Sequence, residues 1–379
     1  MGRTLLVTND FPPRTGGIQN FAHALAVRQP ADSLVVYASS WRGAAEFDAA
    51  QPFEVVRADT TVLLPTPRTR REAVALAVEH GCDTAWYGAM APLGLLAPAL
   101  RAAGVTHQVA QTHGHEAGWA ALPGARGLLR RIGRHVDVVT YLGEYFRTRL
   151  GRAIGPGAAR LERLAPGVDT ATFRPDHVTG EGAAVRRELG LADRPVIVCV
   201  SRLVPRKGQD TLIRALPAVR RRVPDAALLV VSGGPDRDRL RRLARESGVA
   251  DHVVFTGSVP REALPYYYAA GDVFAMPCRS RRGGLEVEGL GIVYLEASAT
   301  GLPVVAGDSG GAPDAVRDGE TGFVVPGRDV AAVADRLATL LADRALAERM
   351  GKAGRAWVES DWRWDVIADR MTTLLGRGA

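Results

Sequence analysis

Four loop segments of this sequence combine charged or imidazole side chains with glycine. In the run EGLGIVYLE, two carboxylates, Glu288 and Glu296, are eight positions apart. On one helix that spacing separates them by about 12 Å, too far for both to act on one atom. They could instead hold the two ends of an extended ligand. If a helix begins near Gly291, the free N–H groups from Gly291 through Ile292 to Val293 can bind a phosphate between them.

The second segment, SRLVPRKG, follows a strongly apolar run and carries Arg202, Arg206 and Lys207. Three cations between a strand and a helix suit a diphosphate, because ligands of α/β sheets bind beyond the C-terminal ends of the strands. Both segments also have a purely structural interpretation. SRLVPRKG would be a solvated charged loop. Of the two glutamates, one would complement a helix dipole and the other would lie on a solvated helix face.

Two further loops lie in the first half. DFPPRTGG ends in Gly16 and Gly17, which let the backbone approach a ligand and the following helix bind an anion, although an ordinary glycine turn fits as well. The segment is not the GxGxxG dinucleotide fingerprint. QTHGHE carries His113, His115 and Glu116, a weak metal-ligand spacing. A positioning or acid–base role for one histidine is favoured, with a plain surface histidine as the alternative.

The elements that must position these residues alternate along the chain. Short apolar runs, such as TLLVT at 4–8 and PVIVCV at 195–200, are separated by amphipathic segments, which predicts parallel α/β sheets covered on both faces. The polar, Pro- and Gly-bearing segment 166–182 predicts a linker. Two Rossmann-like domains facing a cleft are therefore expected, with a C-terminal helix that can cross back to the first. The predicted divisions are 1–168, 183–358 and 359–379.

The composition is that of a soluble globular protein. Of 379 residues, 46% are hydrophobic and 23% charged, which excludes disordered, collagen-like and polytopic membrane classes. No apolar run of about 18 residues predicts a transmembrane helix, and no secretory leader is recognised. Three widely spaced cysteines argue against a disulfide framework or a structural zinc site and fit a reducing cytosol. A cytoplasmic location is expected.

The net charge of +7 arises mostly in residues 1–175, which hold 19 arginines against 14 acidic residues. Such an excess favours an anionic partner. Two clusters of arginine are candidates for contact with an anionic membrane: Arg68, Arg70 and Arg71, and Arg126, Arg130, Arg131 and Arg134. The second cluster alternates with Leu128, Leu129 and Ile132, as in a helix lying on a bilayer, with a solvated helix as the alternative. Nucleic acid is disfavoured, because no reader motif is present and aromatics are 6%.

In their order along the chain, these motifs resemble the retaining glycosyltransferases of family 4, which have the GT-B fold. The resemblance covers nearly the whole chain: a GG loop, His113, an R-x4-K loop and an E-x7-E pair. Within the family, SRLVPRKGQD and RGGLEVEGLGIVYLEASATGLPVVAGDSGGAP resemble actinobacterial GDP-mannose-dependent mannosyltransferases that act on phosphatidylinositol monomannoside. The resemblance implies a peripheral enzyme at the inner face of the cytoplasmic membrane that moves mannose from GDP-mannose to this glycolipid.

The resemblance implies how the second half binds the donor. Arg202 and Lys207 would bind its diphosphate and stabilise the charge on the departing nucleoside diphosphate. Glu296 would hold the ribose, and Glu288 would hold the transferred hexose. Val259, in the run FTGSV, would lie along the base.

In the first half, the resemblance places Gly16 and Gly17 beside the phosphate and the acceptor, and His113 against the hexose near the reacting carbon. No carboxylate nucleophile emerges beside His113, where Glu116 is the nearest in sequence. Front-face transfer with retention is therefore favoured, in which the leaving phosphate takes the acceptor's proton. No bound metal or other cofactor is expected, because the donor-loop cations can replace it, and Mg²⁺ is left open as an additive.

One segment departs from the family pattern. After Pro277 the run CRSRRGGLEV intervenes, and Leu290 stands where the family has Phe, so the alignment of 278–287 is open and Glu286 rivals Glu288. Other functions stay open too. The nearest is a family-4 enzyme that uses a UDP-sugar and a soluble acceptor. More distant ones are a GT-B-shaped sugar epimerase, a Rossmann dehydrogenase and a lipid-surface adaptor.

Overall fold

A computed structural model describes residues 2–377 of the chain. They divide into two compact units. The N-terminal unit comprises 2–166 together with 364–377, and the C-terminal unit comprises 167–363. The predicted α/β class with two parallel sheets is confirmed, and each unit is described by itself below.

One parallel sheet forms the centre of the N-terminal unit. Its strands, within the described residues, are β1 (Arg3–Thr8), β2 (Leu34–Ser39), β3 (Glu54–Ala58), β4 (Cys82–Tyr87), β5 (His107–Ala110), β6 (Val138–Tyr141) and β7 (Arg160–Arg163). They lie in the order β3-β2-β1-β4-β5-β6-β7. The central strands read as continuous apolar runs because helices cover both faces of the sheet.

The helices of residues 2–166 connect these strands. They are α1 (Gly17–Ala26), α2 (Ala44–Ala49), α3 (Pro67–Glu79), α4 (Ala97–Ala102), α5 (Glu116–Trp119), α6 (Pro123–Gly133) and α7 (Glu144–Ile154). The start of α3 shows the local code: Pro67 occupies the first turn, and the Thr66 side chain accepts the Thr69 N–H.

The C-terminal unit has a second parallel sheet. Its strands, as far as the chain is described, are β8 (Val196–Val200), β9 (Ala227–Val231), β10 (Val253–Gly257), β11 (Val273–Met276), β12 (Val304–Gly307) and β13 (Gly322–Val325), in the order β10-β9-β8-β11-β12-β13. Its helices are α8 (Glu181–Glu188), α9 (Gln209–Arg222), α10 (Arg237–Glu246), α11 (Leu264–Ala269), α12 (Ile292–Ala299), α13 (Val330–Ala342) and α14 (Arg344–Asp361).

The last helix, α15 (Trp364–Leu374), belongs to the N-terminal unit. The Trp364 ring packs 6.1 Å from the Phe21 ring of α1, and the His107 side chain donates from Nε2 to the Leu374 carbonyl at 2.7 Å. Of the segment predicted as one C-terminal helix, 359–361 end α14, while 378 and 379 lie outside the described residues. No helix in residues 2–377 is long and apolar enough to cross a bilayer.

Parallel strands bring the loops that follow them to one edge of a sheet. In the N-terminal unit these loops carry Gly16 and Gly17 after β1 and His113 after β5. In the C-terminal unit they carry Lys207 after β8 and Val259 after β10. The predicted site residues are therefore mounted on these edges.

Candidate active site

Lys207 and Glu288 are in direct contact in the C-terminal unit. The Lys207 Nζ donates to Glu288 Oε2 at 2.7 Å. The Arg206 guanidinium donates to the same oxygen at 2.6 Å. The sequence singled out all three residues, but it gave no indication that they meet.

The loop that carries Lys207 is held in place by contacts with Pro277 and Arg279. Gly208 has φ of +81°, and a Cβ at this position would lie 2.0 Å from the Pro277 carbonyl oxygen, so only glycine fits. The Arg279 N–H donates to the Arg206 carbonyl at 2.8 Å. The Arg279 guanidinium in turn donates to both oxygens of Asp210, at 2.8 Å each. This anchoring holds the loop after β8 against the loop after β11.

Asp210 is the buried centre of that anchor. Burial by itself raises the pKa of its carboxyl, but the hydrogen bond and charge of Arg279 outweigh burial and lower the pKa. The carboxylate is therefore ionised and paired. Arg202, by contrast, is exposed, and its side chain makes no hydrogen bond or ion pair within residues 2–377. Its guanidinium is available to an anion.

The segment that departs from the family pattern forms its own small loop. The Arg281 N–H donates to the Glu286 carbonyl at 2.9 Å, and the Glu286 carboxylate binds Arg281 and Arg282, each at 3.1 Å. Glu286 is thus engaged within its own loop. It is Glu288, buried and bonded through its N–H to the Ser309 hydroxyl, that lies against the loop after β8.

Helix α12 begins at Ile292, after a left-handed Gly291 with φ of +82°. A Cβ on Gly291 would lie 2.4 Å from the Tyr294 ring, so the turn requires glycine. The first N–H groups of a helix have no intrahelical acceptor, which leaves those of Ile292 and Val293 to a ligand. The predicted helix start is reproduced within one residue.

Glu296 lies further along α12 and is half-buried. Burial raises the pKa of its carboxyl, and the hydroxyl of the fully buried Tyr268 donates to its Oε2 at 2.6 Å. Val259 is half-buried in the loop after β10. The sequence does not predict the role of Tyr268, because nothing in the run LPYYYA marks one tyrosine as a partner of Glu296.

In the N-terminal unit, Gly16 precedes α1 in extended backbone, and Gly17 is the first helical residue. A Cβ on Gly17 would meet no atom within 4 Å, so there is open space beside it. The loop is braced by the Gln19 side chain, which donates to Asp10 Oδ1 at 2.7 Å. The open backbone beside the start of α1 suits the close approach of a ligand.

His113 is held in one orientation and one tautomer. Its Nε2 lies 2.6 Å from the Gly88 carbonyl oxygen, so Nε2 carries the proton and Nδ1 is an acceptor. Burial lowers the pKa of the ring, which keeps it neutral. Glu116, completely buried, accepts the N–H groups of His113 and Gly114 at 3.0 Å each. Glu116 therefore anchors the loop, a role the sequence did not signal.

Asp236 is one of two aspartates in an Asp-x-Asp run, and its carboxylate is already paired with an arginine. The sequence Asp236-Arg237-Asp238 lies at the start of α10, where Asp236 accepts two hydrogen bonds from Arg239, at 2.8 and 2.6 Å. Within residues 2–377, no group of three or more His, Cys, Asp or Glu side chains is arranged to hold a metal ion.

The two arginine clusters are exposed, but the interpretation of α6 needs a correction. Leu129 and Ile132 are completely buried in the core of the unit, so the apolar stripe of α6 does not face a bilayer. The cluster of Arg68, Arg70 and Arg71 has exposed apolar side chains beside it. Arg68, which pairs with Glu72 at 2.8 Å, lies near two exposed apolar side chains, Val62 at 53% and Leu64 at 52%.

The chain is similar to known glycosyltransferases. Residues 183–357 match the family model described as "Glycosyl transferases group 1". A GDP-mannose-dependent alpha-(1-6)-phosphatidylinositol monomannoside mannosyltransferase of Mycobacterium tuberculosis is 54% identical, with 99% of this chain and 98% of the relative covered. Its Mycolicibacterium smegmatis counterpart is 55% identical, over 98% and 97%. Anabaena HepE, solved in complex with UDP, shares the fold with a TM-score of 0.79 at 22% identity, covering 99% of this chain and 100% of that one.

Proposed function

Because the chain belongs to the family-4 glycosyltransferases of the GT-B fold, we propose that it transfers mannose from GDP-mannose to phosphatidylinositol monomannoside or a related glycolipid. The identity of the relatives over nearly the whole chain supports this donor and acceptor. The observation that carries the chemistry is the contact of Lys207 with Glu288, which joins the cation of one family motif to the carboxylate of the other.

The C-terminal unit would bind the donor. Arg202 and Lys207 bind the diphosphate through charge-assisted hydrogen bonds, which strengthen as negative charge builds up on the leaving group. Glu288 accepts hydrogen bonds from hydroxyls of the hexose, and Glu296 accepts them from the ribose. The remaining contacts of the donor are with the N–H groups of Ile292 and Val293 and with Val259, along the base.

The transfer itself would proceed at the front face. The bond from the anomeric carbon to the diphosphate oxygen breaks, and the acceptor hydroxyl oxygen bonds to that carbon from the same side. Its proton passes to the departing phosphate oxygen, so GDP leaves and the configuration is retained. The protein contributes orientation and electrostatics. The donor-loop cations neutralise the leaving group, a task that a metal ion performs in other transferases.

The N-terminal unit would bind the acceptor and orient the hexose. The neutral His113 presents Nδ1 as an acceptor for a sugar hydroxyl, because its Nε2–H is occupied by the Gly88 carbonyl. The open space beside Gly17 accommodates the phosphate and the acceptor, next to Gly16 in extended backbone. His113 thus positions the sugar without taking up a proton.

A glycolipid acceptor requires access to a membrane, and we place the enzyme at the inner face of the cytoplasmic membrane as a peripheral protein. Support comes from the exposed cluster Arg68, Arg70 and Arg71, which lies near exposed Val62 and Leu64. Arginines attract anionic lipid headgroups, and apolar side chains enter the interface. The cluster on α6, Arg126, Arg130, Arg131 and Arg134, contributes further positive charge.

Donor turnover tests this proposal. The purified chain is incubated with phosphatidylinositol monomannoside and, separately, GDP-mannose, UDP-glucose or UDP-N-acetylglucosamine, with products identified by mass spectrometry. We expect one hexose added to the lipid with GDP-mannose alone, and none with the K207A variant. Turnover of a UDP-sugar would replace the donor and keep the fold and chemistry. Interconversion of a nucleotide sugar without acceptor would instead identify an epimerase.

A further inference from the structure

One oxygen of Glu288 receives two cations. Arg206 and Lys207 donate to Oε2 at 2.6 and 2.7 Å, and the Glu288 side chain is only 8% exposed. A buried carboxylate that loses its counter-charge is strongly disfavoured. A single cation is enough to neutralise the carboxylate, so one of the two can leave without stranding it.

The two cations are not equivalent. Lys207 ends in a compact ammonium on a flexible four-carbon stem, which can move to a new anion. Arg206 has a planar guanidinium, and its main chain is fixed because its carbonyl accepts the Arg279 N–H at 2.8 Å. Arg279 is itself held by the buried Asp210. Arg206 is thus mounted on the stationary part of the loop.

We infer that Arg206 is a positioning residue that keeps the Glu288 carboxylate paired and oriented when a nucleoside diphosphate takes Lys207. The inference rests on the proposed function, in which Lys207 binds the donor diphosphate. The incoming anion replaces Glu288 as the partner of Lys207, and Arg206 continues to donate to Oε2. The other carboxylate oxygen, Oε1, is then left for hydroxyls of the hexose.

This exchange has a thermodynamic signature. Without Arg206, Lys207 can reach the diphosphate only by leaving Glu288 buried without a cation. The diphosphate then binds more weakly, although Arg206 does not touch it. Removing the charge of Glu288 abolishes the conflict, so the effects of changing Arg206 and Glu288 on nucleotide affinity are coupled rather than additive.

Titration calorimetry of the purified chain with GDP, and separately with UDP, tests the exchange without sugar or acceptor. For whichever of the two nucleotides binds the wild type, we expect R206Q to weaken the affinity about five- to tenfold. The loss is modest because the Arg206 side chain is one-third exposed. R206K, which retains a cation, recovers most of the affinity. E288Q, which frees Lys207, binds at least as tightly as the wild type. R206Q/E288Q binds as E288Q does.

The matched control is R282Q, since Arg282 pairs with Glu286 in the neighbouring loop and does not contact Glu288. It leaves nucleotide affinity unchanged in either background, and melting temperatures verify that each variant is folded. An equal loss from R206Q in both backgrounds, or no loss at all, overturns the inference. Weaker nucleotide binding by E288Q than by the wild type also overturns the inference. This second measurement tests the inference even if R206Q does not fold. If neither GDP nor UDP binds the wild type, the proposed function fails first and the inference with it.

Discussion

The Tyr268 hydroxyl donates a 2.6 Å hydrogen bond to Oε2 of Glu296, and this is a contact between a completely buried phenol and a half-buried carboxylate. Burial raises the pKa of Glu296 above its ordinary 4.5, while the bond from Tyr268 acts in the opposite direction. Ionising the residue that the family resemblance assigns to the ribose therefore costs folding stability.

The pH dependence of that cost is predictable. The folded chain binds the Glu296 proton more tightly than the unfolded chain, so ionisation of Glu296 lowers the free energy of unfolding as pH rises above 4.5. We expect E296Q to raise the melting temperature by a few degrees at pH 7.5, with the difference vanishing toward pH 4.5. Calorimetric scans across this range check it, with E348Q as an exposed control in the same unit. A gain that is independent of pH would contradict the assignment.

His113 is expected to act on the transfer step and not on nucleotide binding. Its ring is fixed by the Gly88 carbonyl in the N-terminal unit, whereas the diphosphate loop is in the C-terminal unit. H113A should lower kcat about 10- to 100-fold, because a misplaced hexose loses orientation. The dissociation constant for GDP should not change. Steady-state kinetics and calorimetry separate the two, and an equal loss in both would remove the positioning role.

The buried pair of Arg279 and Asp210 should be a major contributor to the stability of the C-terminal unit. Substitution R279M leaves the Asp210 carboxylate buried without the guanidinium that donates to both of its oxygens. We expect a loss of about 3 kcal/mol in the free energy of unfolding, measured by urea denaturation. The control is R282M, which replaces an exposed arginine in the same unit. It should change the free energy of unfolding by less than about 0.5 kcal/mol. A loss below about 0.5 kcal/mol for R279M would show that Arg214 and Arg239, which lie 3.5 and 3.7 Å from Asp210 Oδ2, suffice as its partners.

Membrane binding should depend on the exposed cluster Arg68, Arg70 and Arg71. The triple change to Gln is expected to reduce co-sedimentation with anionic phosphatidylinositol vesicles by about tenfold or more, since each arginine near the surface contributes about 1 kcal/mol. Neutral vesicles should bind weakly throughout. The matched control is the triple change of three exposed arginines of α10, Arg237, Arg242 and Arg245, which removes the same charge from the other unit. Equal binding to neutral and anionic vesicles would reject the proposal.

The placement of Lys207 and His113 at the sheet edges was predictable from the sequence because each lies in a loop that follows an apolar run. A loop after a buried parallel strand must lie at the sheet edge where ligands bind, which locates Lys207 and His113 without coordinates. The contact between Lys207 and Glu288 was not predictable. The two residues are 81 positions apart, and their meeting depends on the close approach of Pro277 to Gly208, which no local pattern encodes.

Helix α6 shows a second limit on what the sequence pattern can predict. Arginines that alternate with leucines satisfy both a bilayer surface and a protein core, and only the tertiary partners decide between them. Here Ile132 lies against Gly94, where a Cβ would come within 2.4 Å of it, and a Cβ on Gly133 would come within 2.9 Å of Ile154. Gly94 and Ile154 are distant in sequence from these arginines, so the pattern alone did not decide between a bilayer and a protein core as the surroundings of Leu129 and Ile132.

The return of α15 to the N-terminal unit sets the order in which the chain can be completed on the ribosome. That unit is interrupted in sequence by residues 167–363. At about 5–20 residues per second, roughly 10 to 40 seconds separate the synthesis of Pro166 from that of Trp364. During that interval the α1 surface that receives Trp364 is uncovered. The C-terminal unit, continuous in sequence, can finish folding first, although it is made second.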